Sequence, residues 1–202
     1  MISKDRKRNR HNIERKPVIL ISFEGKTEKK YFSHFGGRNY KYNLELAPGN
    51  QTDPINIVNR AISGIKENDI DIKNGDKVYC IIDTDMDSQN NKTIEKAIAL
   101  ANKKGIKVIT SSPCIELWFY LHFEYIQSPI NNKEVLLKLK AKIPNYEKGK
   151  DIFEIICKNT NTAIKNAKKL EKYQIKIGKK IQTVEANPHS QVYEVIDNFI
   201  NN

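Results

Sequence analysis

The sequence predicts an α/β fold, a mostly parallel sheet flanked by helices, with a lysine-rich helical appendage at its C-terminal end. Three observations carry that prediction. Residues 18–23 and 78–82 are short, almost unbroken apolar runs rich in Val and Ile, as strands buried on both faces are. Between and after them, apolar residues recur at helical spacing, which is the alternation of strand–helix–strand units. Both runs also end abruptly in acids, so carboxylates emerge where open α/β sheets bind ligands.

The elements follow in order. Residues 1–16 carry seven Lys/Arg against two acids with little apolar content, and are expected to be a basic, disordered tail. Pro17 ends it, and the α/β core is expected over 17–130. The first strand runs into Glu24-Gly25-Lys26-Thr27-Glu28. Gly25 permits a tight turn, and Thr27 is the expected cap of a helix carrying Glu28, Tyr31, Phe32 and Phe35. A Walker-type phosphate loop is excluded, because the upstream glycine it requires is missing. A third strand is expected over 40–46. Thr52 or Asp53 should then cap a helix starting at Pro54, with Ile55, Val58, Ile62 and Ile65 as its apolar stripe.

Asn74-Gly75-Asp76 turns the chain into the central strand, which ends in Asp83, Asp85 and Asp87 at every second position. Residues 93–104 should form a helix through Ile94, Ala97, Ile98 and Ala101, stopped by Gly105, and 106–110 the next strand. Ser112 as cap and Pro113 as first helical residue predict a sharp entry into a helix with Glu116 in its first turn. Trp118, Phe119, Leu121 and Phe123 read as core. From 131 to 202 the pattern is helical: one helix around Val135, Leu136 and Leu139, others over 152–157 and 162–173, and a last one through Val192, Val195, Ile196 and Phe199, capped from Asn187-Pro188-His189-Ser190. Residues 175–183 carry no clear pattern.

Composition narrows the function classes. Three scattered cysteines without a CxxC pair point to a reducing interior. The chain shows no run approaching a membrane span and no signal peptide, so a cytoplasmic protein without membrane attachment is expected. The net charge of +11 is uneven: residues 17–130 balance fourteen Lys/Arg with fourteen acids, whereas 131–202 hold fourteen Lys against eight. A neutral body flanked by positive segments suits a polyanion such as DNA or RNA, although lysine-rich helices also serve as solvated faces.

The acids define the candidate chemistry. Asp83 and Asp85 would share one side of an extended chain about 6.5 to 7 Å apart, a span that one hydrated divalent cation bridges. The same residues would also begin a turn well. Glu24, Asp83, Asp85 and Asp87 are the metal candidates, and hard oxygen ligands without a His or Cys cluster favour Mg²⁺ or Mn²⁺ over Zn²⁺. Glu24 is also a candidate general acid/base. Glu116 suits catalysis, or equally a helix N-terminus that its charge stabilises. Lys26, and Lys148 or Lys150 from the appendage, are the candidate cations for a charged transition state.

A strand ending in Glu24-Gly25, followed by one ending in Asp83-Thr84-Asp85, resembles the Toprim catalytic domain of topoisomerases, primases and overcoming-lysogenization-defect nucleases. More narrowly, the sequence is similar to the RloB family. The likeness rests on Ile19 through Glu28 with Tyr31-Phe32, Ile82-Asp83-Thr84-Asp85, Ser112-Pro113-Cys114-Ile115-Glu116-Leu117-Trp118 with Leu121-His122-Phe123, and Asn187-Pro188. The resemblance implies a Toprim-like sheet and a metal-dependent nuclease, found in restriction or abortive-infection loci beside an ATPase partner protein. Glu24, Asp83 and Asp85 map onto the Toprim acids, and Glu116 onto the narrower motif alone. Ser22-Phe23 and Met86-Asp87 depart from the Toprim pattern.

The expectation is therefore a Mg²⁺- or Mn²⁺-dependent nuclease acting in phage defence. The alternative is a non-catalytic nucleic-acid-binding or assembly subunit of a defence complex.

Overall fold

A computed structural model describes residues 15–49, 53–85 and 91–200. Residues 1–14 of the expected tail over 1–16, the alternative cap Thr52 and the metal candidate Asp87 lie outside the described residues. Four strands, β1 (Val18–Phe23), β2 (Asn43–Pro48), β3 (Lys77–Asp83) and β4 (Lys107–Ser112), run parallel, and β5 (His189–Ser190) pairs antiparallel with β4. Their order is β2-β1-β3-β4-β5. The chain therefore leaves β1 to one side for β2 and returns across it to β3, so the winding reverses between β1 and β3.

Period-two alternation explains why the central strands read as continuous apolar runs. Ile19, Ile21 and Phe23 of β1, with Tyr79 and Ile81 of β3, enter the larger core. Val18 and Leu20, with Val78, Cys80 and Ile82, enter the smaller one on the opposite face. Helices α2 (Pro54–Glu67) and α3 (Asn91–Asn102) cover the smaller core through Ile57, Val58, Ala61, Ala97 and Ala101. The other face takes α1 (Lys26–Ser33), α4 (Ile115–Tyr120), α5 (Asn132–Lys142), α6 (Phe153–Ile156), α7 (Thr160–Lys176) and α8 (Val192–Ile200).

Asp53 caps α2 as expected, its Oδ1 accepting from the N–H groups of Ile55 and Asn56 at 2.9 and 3.2 Å. Three other terminal expectations are corrected. Gly25, not Thr27, is the N-cap of α1. Thr27 lies inside the first turn, where its hydroxyl accepts from Gly149 N at 2.9 Å. The N-cap of α4 is Cys114, and Pro113 precedes the helix through a cis peptide bond. Ser112 still belongs to β4, where its hydroxyl donates to the Thr84 carbonyl at 3.3 Å instead of capping.

The third correction concerns Asn187 to Ser190. Asn187 exchanges two hydrogen bonds with the backbone of Ile130, at 2.9 and 2.8 Å, so it is not free to cap α8. His189 and Ser190 instead form the edge strand, and the His189 ring meets the Thr110 hydroxyl at 2.7 Å. Burial lowers the His189 pKa to about 4, so the ring is a neutral structural bridge. The C-terminal region closes the core: Phe199 stacks on Phe35 with centroids 4.7 Å apart. Trp118, Phe119 and Leu121 are fully buried, in keeping with their reading as core, and Phe123 partly so. Among the described residues, no helix is long and apolar enough to cross a membrane.

Candidate active site

Strand parity decides which acids can meet. Asp83 continues the series Tyr79, Ile81, so its side chain leaves the end of β3 on the face that α1 and α4 cover. Glu24 follows the end of β1, the neighbouring strand across the winding reversal. Each of the two helices starting beside these strand ends places a glutamate in its first turn, Glu28 on α1 and Glu116 on α4. Trp118 Nε1 donates to Tyr31 Oη at 2.8 Å, which ties α4 to α1 just behind both acids.

A cleft of about 290 Å³ results, lined by Glu24, Lys26, Glu28, Asp83, Glu116 and Lys148, with Gly25, Thr27, Ile115 and Gly149 completing its wall. Lys148 arrives from the loop between α5 and α6. That loop is fastened at both sides of the lysine: Tyr146 Oη donates to Glu116 Oε1 at 3.3 Å, and Gly149 N donates to Thr27. Farther along, Asp151 Oδ2 meets His34 Nε2 at 2.8 Å, and Phe153 stacks on the same imidazole at 4.2 Å.

So many carboxylates in partial burial repel one another. Burial pushes the Asp83 carboxyl well above its ordinary range, Glu28, Glu116 and Glu24 push it further, and Lys148 pulls it back. Burial likewise raises Glu28 to about 7; its backbone donors oppose this, while Glu116 and Glu24 add to it. Glu24 is raised by burial and by Glu116 against the pull of Lys148. Burial works against the charge of Lys148, yet the surrounding acids, led by Glu116, outweigh it and hold its pKa above the ordinary lysine value. This is the electrostatic profile of a site short of positive charge.

The donor set suits a hard cation in one specific way. Asp83 Oδ1 is buried and has no hydrogen-bond partner among the described residues. No three His, Cys, Asp or Glu side chains among those residues stand close enough to grip a metal unaided. Mg²⁺ does not need such a cage, since it keeps several waters and takes one or two carboxylates. Asp83 with Glu24, and Glu28 or Glu116 through water, therefore fit Mg²⁺ or Mn²⁺.

The sequence candidates divide as follows. Glu24, Lys26, Asp83, Glu116 and Lys148 line one cleft. Asp85 is not on that lining: β3 ends at Asp83, and the Asp85 carboxylate accepts from Asn132 Nδ2 at the start of α5. Lys150 is also absent from the lining and donates to the Asn145 carbonyl at 2.9 Å. Asp87 lies outside the described residues. Glu28 was not among the candidates, although its position four residues after Glu24, at the head of a helix, was a usable signal. Tyr146, which fixes Glu116, had no sequence signal at all. His122 is buried with its pKa lowered to about 4 by burial, and its Nδ1 lies 2.9 Å from the Trp118 carbonyl, so it belongs to the core behind the site.

Comparison with known proteins gives one family. The family described as RloB-like protein matches residues 19–199. Neither a curated protein nor a solved structure matches the chain.

Proposed function

The chain belongs to the RloB-like family, and from that membership and the chemistry of the cleft we propose that it is a Mg²⁺- or Mn²⁺-dependent nuclease with a Toprim-like core. The observation that carries this reading is the convergence of Glu24, Glu28, Asp83 and Glu116 beside Lys148 at the reversal point of a parallel sheet.

The chain's own groups divide the work. Asp83, its buried Oδ1 unpartnered among the described residues, and Glu24 would hold the cation, which when bound would polarise the phosphate and acidify a water. Lys148 stands over the same space and offsets negative charge on the phosphoryl oxygens. Glu28, with a carboxyl near neutrality, exchanges a proton at Oε. In the balanced reaction a water oxygen bonds to phosphorus, the bond to one ester oxygen breaks, and a proton goes to the departing oxygen. Glu116, gripped by Tyr146, positions the wall of the cleft. Cytoplasmic action in phage defence beside an ATPase rests on the family resemblance.

The test is cleavage of plasmid DNA, single-stranded DNA, total RNA and tRNA by purified protein with Mg²⁺, Mn²⁺ or chelator, alongside Asp83→Ala and Glu24→Ala. Metal-dependent cutting lost in both variants supports the nuclease. Nucleic-acid binding without cutting, unchanged in the variants and with the ATPase added, refutes it in favour of a binding subunit.

A further inference from the structure

Helix α7 carries five lysines against one acid between Thr160 and Lys176, and Lys165, Lys169, Lys172 and Lys176 recur at spacings of four, three and four. That spacing is one helical face, about 16 Å long at 1.5 Å per residue. The opposite face is used up in packing: Ala163, Ala167, Leu170 and Gln174 are buried. Lysines one turn apart on a helix repel one another unless glutamates one turn away offset them. Here Glu171 is the helix's single acid, and it accepts from Tyr193 Oη at 2.6 Å. Lys168 pairs with Asp197, whereas Lys165 and Lys172 have no acid partner among the described residues.

Lys165, Lys168, Lys169 and Lys172 line a trough of about 510 Å³ together with Asn161 and Ile164. Aromatic surface lies alongside. The Lys169 ammonium sits 4.1 Å from the centroid of the half-buried Tyr125 ring, whose ionisation is disfavoured by burial first and by Tyr173 second. A row of cations beside aromatic faces is the combination that holds a single strand, phosphates on the lysines and bases on the rings. The ridge is also rigidly tied to the cleft's scaffold. Asn166 Nδ2 donates to the Leu121 carbonyl, at the end of the helix that carries Glu116, at 2.9 Å.

We propose that the exposed face of α7 is a binding ridge for single-stranded nucleic acid, recognised through the phosphodiester backbone and feeding the acidic cleft. The feeding role rests on the nuclease reading; the binding does not.

The experiment measures fluorescence anisotropy of a labelled oligodeoxynucleotide and of the oligoribonucleotide of the same sequence, in chelator so that nothing is cut. It compares the unaltered protein with Lys165→Gln/Lys169→Gln/Lys172→Gln and with Lys73→Gln/Lys103→Gln/Lys104→Gln, which removes equal charge from a groove at the other end of the sheet. Glutamine keeps helix propensity, and far-UV circular dichroism verifies the fold. The α7 variant is expected to bind roughly ten- to a hundredfold more weakly at low salt, with the slope of log affinity against log salt reduced by about 2. The control variant should change little, and the tighter arm identifies RNA or DNA. Equal loss in both variants, no binding by the unaltered protein, or equally strong α7-dependent binding of the oligodeoxynucleotide annealed to its complement overturns the ridge. None of these depends on cleavage, so the nuclease reading stands or falls separately.

Discussion

Replacing Glu28 by glutamine should reveal how strongly the cleft lacks positive charge. The folded carboxyl titrates at about 7 against an ordinary 4.5, chiefly because it is buried. Between those values the folded protein holds a proton that the unfolded chain has released. The stability contribution is thus fully present below about pH 4.5 and lost as pH rises through 7. At 1.36 kcal/mol per unit, the loss is on the order of 3 kcal/mol by pH 8. Glu28→Gln cannot ionise, and its amide oxygen still accepts from the Gly25 or Glu28 N–H. In urea unfolding with chelator, the variant should gain on the unaltered protein by roughly 3 kcal/mol between pH 4.5 and 8. Adding Mg²⁺ at pH 8 should narrow the gap, because a cation compensates the carboxylate. A stability difference independent of pH would refute the reasoning, since it would show that the site ionises without cost.

Other perturbations test the scaffold around the cleft. Tyr146→Phe leaves the buried Glu116 Oε1 without its 3.3 Å donor, so a loss of about 1–2 kcal/mol in urea unfolding is expected, with reduced cleavage. Asp76 is held below its ordinary range despite burial, because it accepts from the N–H groups of Val18 and Asp71, each at 2.7 Å, and from Arg15 at 3.0 Å. Its contribution is present above about pH 3.8 and lost as pH falls through the lower folded value. Asp76→Asn should therefore cost about 2–4 kcal/mol at pH 7, and less at pH 3, by chemical denaturation. Gly64 lets α2 lie close on β1: a Cβ there would meet Leu20 Cδ2 at 2.9 Å. Gly64→Ala should lower stability by about 1 kcal/mol in spite of alanine's better helix propensity. A gain would mean that Leu20 yields freely.

The α/β class, the central strands and most helices were legible because burial on two faces and amphipathic spacing are local patterns. So was the pairing of Glu24 with Asp83, since both follow apolar strands and open sheets present strand ends together. Thr27, Ser112 and Asn187 misled as caps for one shared reason: each is a competent hydrogen-bonding group whose partner, Gly149, Thr84 or Ile130, comes from a distant part of the chain. The edge strand at His189 is two residues long and exists only because β4 offers it an unpaired edge. Asp85 shares Asp83's parity, but β3 ends at Asp83, and α5 brings Asn132 to the Asp85 carboxylate. What the sequence by itself determined was the set of acids and the strand ends that bear them. Which acids share a cleft, and that Glu28, Tyr146 and Lys148 join them, depended on the packing of α1, α4 and the loop beyond α5. Strand parity is local, whereas the meeting of side chains more than a hundred residues apart is a property of the packed chain.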